Sequence, residues 1–548
     1  MRQVEFKCRA ALFADSRRSY RCSSEAYPTT RKVVMEDNGH VAYRSYIDAL
    51  LDQLKTRADQ GVLRYQKSDV TGDALRRAIF RYARTLEALG IGRDSLVAQF
   101  ASNCPDALAI RYAANLLGAG TMFLPALADA DRRTVLLERI QPTLLVVFAQ
   151  TAQLVPDAVN ARVVYVGAGP ESAQLDKLAQ AQSNLPMNSR TTADDLAVIV
   201  SSGGTTGVPK GSHRSFAAYS NMVGEEDARR RRQLVNGPLA YLSQVLVDRT
   251  LIGGGTIVLE RYYDPAQTLA TIEAERITDM FLVEPQLFEI MDHPDVHRRD
   301  LSSLRSLAHI GGSSPAILRR RAIARLGPVL THMYGASEAG LVSVLPAANY
   351  GTAPELLVSA GRVRPGVDVR FRLANGTLAR TGQHGRIEVR SRAVAHGYYN
   401  QEVESAQNFQ DGWCLTGDIG SLDEGGNLHV LGRATDVAEV DGRAIGPTPI
   451  EEVLCELPDV RYAAAFAANA DASAHGWIAA VEPWDGKRVC VAQCVCALEA
   501  TFGVFIGNAV RICVVDRLPL TEQGKVDRAA IASFGLTPCN ARFRELAE

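Results

Sequence analysis

The chain has 548 residues, 47% hydrophobic and 22% charged, with 60 Lys and Arg against 61 Asp and Glu and a formal net charge of -1. That length exceeds one ordinary core, so two to four lobes are expected. The near-neutral balance offers no field for nucleic acid or an anionic membrane. No apolar run is long enough to span a bilayer, and ten scattered cysteines suit a reducing compartment better than a disulfide framework, so a cytoplasmic location is expected.

Residues 1–42 carry no sustained periodicity and read as an N-terminal extension. Glu5, Asp15 and Glu25, with no apolar h-region, argue against a signal peptide. From Tyr43 the pattern is helical, including an amphipathic stretch over 74–89 that Gly90 ends. Strands are then expected at 95–100, 121–124, 143–148 and 162–166, with a helix at 105–117. Continuous apolar strands separated by helices indicate a parallel sheet covered on both faces. The rhythm returns with strands at 256–259, 280–283, 304–310 and 328–333, which makes two α/β subdomains. Between them, Arg229–Arg232 follow Glu225, Glu226 and Asp227, and i,i+4 pairing predicts a solvated, self-neutralised helix.

From about residue 354 the texture changes to short strands with turn residues (Gly366, Asn375-Gly376, Gly382, Gly385), as in an antiparallel, barrel-like piece. After Arg433 a small α+β unit is expected, with strands at 462–467 and 512–515 and a helix at 491–501. Cys490, Cys494 and Cys496 lack the paired knuckles of a zinc site and are expected as core cysteines of that helix. The expected organisation is an extension over 1–42, a large α/β domain over 43–432 and a small C-terminal domain over 433–548.

One stretch carries chemistry on its face. Residues 198–211 read V-I-V-S-S-G-G-T-T-G-V-P-K-G: β-formers run into a loop of Ser, Gly and Thr that ends at Lys210. Glycines turn backbone N–H groups inward, hydroxyls add donors and the lysine adds a point charge, which together make a phosphate cradle. It is not a Walker A loop, because Pro209 stands where the second glycine must be and Gly211 follows the lysine.

Four further segments follow in order: M-Y-G-A-S-E-A-G at 333–340, T-G-D-I-G at 416–420, G-R-A-T-D at 432–436 and P-L-T-E-Q-G-K-V-D-R at 519–528. The ordered set resembles the ANL superfamily of adenylate-forming enzymes, which includes acyl-CoA synthetases, peptide-synthetase adenylation domains and luciferases. The resemblance spans about residues 45–535. It implies ATP-dependent activation of a carboxylate to an acyl-adenylate with release of pyrophosphate, then transfer to a thiol, with a small C-terminal domain that rotates between the two steps. Bringing two anions together is work for positioning and charge neutralisation.

The resemblance also implies roles. Ser202, Gly203, Gly204, Thr205, Thr206, Gly207 and Lys210 would hold the leaving pyrophosphate, and Glu338, with Thr205, would bind magnesium. Gly311, Gly312 and Ser313 would form the adenine edge; Tyr334, followed by Gly335, Ala336 and Ser337, would stack on the adenine face. Asp418 would accept the ribose hydroxyls, and Arg433 would add a ribose or phosphate contact. Lys525 would reach over the site as the main catalytic cation, with Glu338 and Lys210 in support.

Departures from the family pattern bear on substrate and acceptor. Gly203 replaces a more frequent Ser and occurs in both aryl- and fatty-acid-activating members. The acyl pocket is expected near 238–244, Pro285, 308–312 and 333–335, with Tyr241, Gly312 and Met333 facing the acid. Tyr241 lies near a position where many acyl-CoA synthetases carry His, and no well-placed acid there suits an α-ammonium; Asp248 lies too far along. A fatty or aromatic monocarboxylate is therefore expected. Thr435 takes the hinge position, Gly442 is kept near the incoming thiol, and Pro449 replaces a common Glu. Three readings stand: a carboxylate–CoA ligase using ATP, Mg2+ and CoA; a ligase that serves an amine or the thiol of a separate acyl-carrier protein; and an inactive ligand-binding relative.

Overall fold

The computed structural model describes residues 43–167, 169–202, 208–224, 230–310, 315–350, 354–440, 443–467, 476–521, 524–528 and 530–531. Expectations for residues 1–42, 203–207, 225–229, 311–313 and Gly442 lie outside the described residues.

The helix expected over 74–89 runs Gly72–Ala88, where Thr71 accepts a hydrogen bond from the Ala74 N–H at 3.1 Å. Its Leu75, Ile79, Ala83 and Leu86 are buried, one stripe at helical spacing. That helix packs against helix Pro105–Leu116, which lies on a sheet ordered Gly397–Tyr398, Gly211–Ser215, Leu196–Ser201, Gly120–Phe123, Leu96–Phe100, Leu144–Phe148 and Arg162–Val166. Strands Leu96–Phe100 and Leu144–Phe148 are buried at every position, as a parallel sheet covered on both faces requires.

A second sheet runs Arg362–Val363, Gly340–Leu345, Leu330–Ala336, Ser306–Ile310, Asp279–Leu282, Arg232–Val235, Thr256–Leu259, Gly61–Tyr65 and Ser68–Thr71. Here one expectation fails. Arg232 does not continue a charged helix; it heads a strand, paired in parallel with Thr256–Leu259 and Asp279–Leu282. Its guanidinium is neutralised across the fold by Glu275. Backbone ladder pairing sets the conformation of Arg232, while the acidic partners of the expected i,i+4 pairs lie outside the described residues.

The antiparallel piece is a sheet of Val367–Arg372, Gly385–Ser391, Trp413–Leu422 and Phe409–Gln410, with Leu428–Arg433 also pairing to Trp413–Leu422. Its register sets Asp418 opposite Arg433. The C-terminal α+β lobe has a sheet of Val460–Ala467, Trp477–Pro483 and Val510–Val514, with helices Pro447–Cys455 and Val491–Phe502. Of the three clustered cysteines only Cys494 is buried; Cys490 and Cys496 are exposed. Cys494 and Leu498 share the inward stripe, whereas Cys496 lies about 200° round the helix from Cys494 and Cys490 precedes the first turn.

The small lobe rests on helices Glu284–Asp292 and Ala316–Leu326 of the large one. Arg461 Nε meets Asp292 Oδ2 at 3.0 Å, Arg321 donates to the Arg461 carbonyl at 2.8 Å, and the Ile317 N–H donates to the Glu452 carboxylate at 3.0 Å.

Candidate active site

Parallel sheets gather ligands beyond the carboxyl ends of their strands, and the motif residues fall there in both sheets. Strand Leu196–Ser201 leads into the phosphate stretch and returns as Gly211–Ser215, with Ser201 opposite Gly211. The Ser202 N–H donates to the Lys210 carbonyl at 2.7 Å, and the Lys210 N–H donates to Ser202 Oγ at 3.0 Å, so the ends of the loop are pinned. The Lys210 ammonium lies 4.8 Å from the centroid of the Tyr398 ring. The Tyr398 hydroxyl donates to Glu338 Oε1 at 3.0 Å, and Ser337 Oγ donates to Glu338 Oε2 at 2.8 Å. Burial and the Glu338 charge push the Tyr398 phenol up, which keeps it a donor.

Glu338 sits in the turn of the hairpin formed by Leu330–Ala336 and Gly340–Leu345. Gly335 is required there, since a Cβ would stand 2.4 Å from the Gly340 carbonyl oxygen. Tyr334 is nearly enclosed, at 9% exposure. Its hydroxyl donates to Asp418 Oδ2 at 2.6 Å and lies 3.2 Å from Thr416 Oγ1. The expected adenine-stacking ring is thus also the clamp on the expected ribose acceptor. Arg433 Nε lies 3.3 Å from Asp418 Oδ1, and its Nη1 donates to the Thr416 carbonyl at 2.9 Å. Burial raises the Asp418 carboxyl, opposed by the Arg433 guanidinium and the Tyr334 hydroxyl. Gly417, at φ +78°, supplies the left-handed turn that no side chain adopts readily.

Lys525 arrives from the small lobe in a tight turn: the Gly524 N–H donates to the Thr521 carbonyl at 2.8 Å and the Thr521 N–H to the Lys525 carbonyl at 2.7 Å. A Cβ on Gly524 would lie 3.0 Å from Gln286 Nε2, so the turn is seated on the large lobe. Desolvation and the neighbouring Arg433 push the Lys525 ammonium down to about 8, while Glu338 and Asp418 pull the other way. Residues nearly two hundred positions apart therefore share one electrostatic environment. Thr435 stays in an exposed turn between the two lobes.

Tyr241 is half-buried in the wide turn Leu239–Ser243, where its φ of −124° and ψ of −136° break the helical run, and it packs on the core of the first sheet. Met333 is half-buried beside Ile310 in the second. Asp248 is fully buried; Arg111 Nη1 holds both its oxygens at 2.9 and 2.8 Å, and the Tyr112 and Tyr219 hydroxyls donate to it at 2.5 and 2.6 Å. It belongs to the core and leaves no acceptor for a substrate ammonium.

Strands Ser306–Ile310 and Leu330–Ala336 and helix Ala316–Leu326 share a buried chain of polar groups. Arg319 Nη2 only donates, so His332 Nε2 accepts from it at 3.3 Å. A neutral His332 then donates from Nδ1 to His309 Nδ1 at 3.0 Å. This leaves the His309 proton on Nε2, facing Glu284 Oε2 at 3.9 Å. Burial keeps the imidazoles neutral, His309 being pushed down to about 3.

No motif in the chain singled out Arg214 or Glu284. Tyr398 stands in a Gly-Tyr-Tyr-Asn run at 397–400, a signal that could have been followed. Among the described residues no cluster of three metal-ligating side chains exists. Glu338 has two hydroxyl donors and no ion-pair partner among the described residues. A single carboxylate so placed fits a hydrated divalent cation that also binds phosphate oxygens.

A hairpin closed at Lys210, an Asp418 held by Tyr334 and Arg433, and a Glu338 without an ion-pair partner among the described residues together suit the joining of a carboxylate to a nucleotide. It is the site of an adenylate-forming ligase. Comparison with known proteins agrees: the AMP-binding enzyme family matches residues 50–399. A feruloyl-CoA synthase of Amycolatopsis is 30% identical over 486 residues, 85% of this chain and 94% of that one. A medium/long-chain-fatty-acid–CoA ligase of Mycobacterium tuberculosis is 28% identical over 522 residues, 90% and 89% of the two chains. Among solved structures, an amide bond synthetase of Marinactinospora thermotolerans superposes with a TM-score of 0.80 at 28% identity, covering 89% of this chain and 99% of that one. The chain belongs to the AMP-binding enzyme family, and no helix among its described residues is long and apolar enough to cross a membrane.

Proposed function

We propose that this enzyme activates a fatty or aromatic monocarboxylate with ATP as an acyl-adenylate, releases pyrophosphate, and transfers the acyl group to CoA. The observation that carries this reading is that Lys525, seated on the large lobe through Gly524 and Gln286, lies within electrostatic reach of Arg433, Glu338 and Asp418. It supports a role for Lys525 in stabilising the charge that develops as a carboxylate oxygen attacks the α-phosphorus. Asp418, aimed by Tyr334 and flanked by Arg433, would take the ribose; Lys210 and the hairpin it closes would take the departing phosphates. Glu338 would hold magnesium, which supplies charge neutralisation at the phosphates. Residues 43–432 and 433–548 would act as the two catalytic domains, with Thr435 and Gly442 serving the transfer step.

A core-paired Asp248 and the half-buried Tyr241 favour an acid without an α-ammonium. The relatives named for fatty acids and for ferulate point the same way. The likeness to an amide bond synthetase supports a second reading, in which an amine takes the acyl group from the adenylate; a carrier-protein thiol is a third acceptor. The test is pyrophosphate release across fatty and aryl acids, with and without CoA or added amine, with products identified by mass. CoA-accelerated turnover with a thioester product is expected. Amide formation without CoA acceleration would replace the acceptor, and no release with any acid would leave only an inactive ligand-binding relative.

A further inference from the structure

Arg214 is 0% exposed, yet among the described residues no carboxylate lies within ion-pair distance of it. Its guanidinium is spent on backbone. Nε donates to the Ala393 carbonyl at 2.8 Å, and Nη2 donates to the carbonyls of Ser337 and Glu338 at 2.6 and 3.1 Å. Nη1 reaches Ser212 Oγ at 3.5 Å. Ser212, two residues earlier and so on the same face of the strand, also donates to the Ser337 carbonyl at 2.9 Å. The Ala395 N–H donates to the Glu338 carbonyl at 2.8 Å.

A buried cation without a counter-ion is expensive. Burial lowers the Arg214 guanidinium only to about 10, with the Glu338 charge opposing, so it stays charged at neutral pH. One planar fork thereby ties three segments together. They are the strand after the phosphate hairpin, the turn that carries Glu338, and the loop that leads to Tyr398, whose hydroxyl meets Glu338. A neutral amide offers too few donors to span all three carbonyls, and a lysine lacks the planar geometry.

We propose that Arg214 is a positioning residue for adenylation: by holding the Ser337, Glu338 and Ala393 carbonyls it aims the Glu338 carboxylate at the phosphate end of the cleft. The proposal rests on the reading of Glu338 given above. Arg214 touches no reacting atom; it acts through Glu338.

The test compares wild type, Arg214→Lys, Arg214→Gln, Glu338→Gln and the Arg214→Lys/Glu338→Gln double variant, each checked for folding by thermal melting. ATP affinity is measured by calorimetry with and without Mg2+, AMP affinity without Mg2+, and ATP–pyrophosphate exchange across Mg2+ concentrations. In the folded Arg214 variants the Mg2+-dependent gain in ATP affinity should fall about tenfold and exchange about tenfold to a hundredfold, as small misplacements of a positioned group do. AMP affinity, set by the Asp418 side of the cleft, should stay within about twofold, and Glu338→Gln should mask the Arg214→Lys effect in the double variant. An unchanged Mg2+ gain in the Arg214 variants, a proportional loss of AMP affinity, or simple multiplication of the two losses would overturn the positioning role while leaving the reading of Glu338 intact. A full Mg2+ gain in Glu338→Gln would overturn that reading, and the role of Arg214 with it.

Discussion

The Tyr462 hydroxyl, on the small lobe, donates to Glu284 Oε1 of the large lobe at 2.7 Å. Around this bond two carboxyls are buried together. Burial raises Glu284 to about 7, against the pull of Tyr462, Arg319 and Arg528. Burial and the Glu284 charge raise Glu451 to about 8, with Asp436 adding repulsion, and the Ala465 N–H and Arg528 opposing. His309 Nε2 faces Glu284 from below. Both carboxyls sit above the ordinary glutamate value of 4.5, so the folded protein binds more protons here than the unfolded chain does. The stabilisation is complete below that ordinary value and is lost as pH rises through about 7 to 8.

Glu451→Gln should therefore flatten the alkaline decline in stability. Melting temperatures measured between about pH 6 and about pH 9 should fall less in the variant than in the wild type. A parallel decline in the two proteins would show that the pair holds no extra proton.

Lys525→Ala should slow ATP–pyrophosphate exchange about a hundredfold or more with the melting temperature preserved, the effect of removing one preorganised charge. Because the Lys525 ammonium is pushed down to about 8, exchange should also fall as pH rises through that value. Lys525→Arg, which stays charged, should lose that limb, measured in the Glu451→Gln background to reduce the contribution of the buried carboxyl pair. Persistence of the limb would assign it to another group.

Asp418→Asn should weaken AMP binding by roughly 1.5–3 kcal/mol, the range for a hydrogen bond to a charged group, read by calorimetry. Tyr334→Phe removes the 2.6 Å bond that orients the carboxylate but leaves its charge, so its loss should be smaller. Equal losses would make Tyr334 a direct nucleotide contact rather than a clamp.

Asp248→Ala should lower unfolding free energy by about 3–5 kcal/mol, because Arg111 would be left charged and unpaired in the core. Denaturant titration measures this. The KM for the acid should be unchanged, and amino acids should remain poor substrates in wild type and variant alike; an acid-specific KM effect would place Asp248 in the pocket.

Much of the fold was legible in the chain. Continuous apolar runs marked the parallel strands, and the strand expected over 162–166 is Arg162–Val166. Gly-Lys and Gly-Asp pairs stood out because close approach to phosphate or ribose restricts which residues fit. The misses share a cause. Arg232 followed a ladder partner and Glu275 rather than its own neighbours, Cys496 turned outward because two residues of offset rotate a helix by about 200°, and Cys490 lies before the helix begins.

The sequence by itself determined the reaction class, since the phosphate loop states its chemistry locally and four further motifs follow in the order that resembles one enzyme family. Only the tertiary structure decided what holds them. Arg214 grips carbonyl oxygens, which every residue possesses, and so leaves no pattern in the chain. Tyr398 joins Lys210 to Glu338, and Glu284 meets Tyr462 across 178 positions. Such bonds depend on which surfaces packing brings together, and no spacing along the chain encodes that.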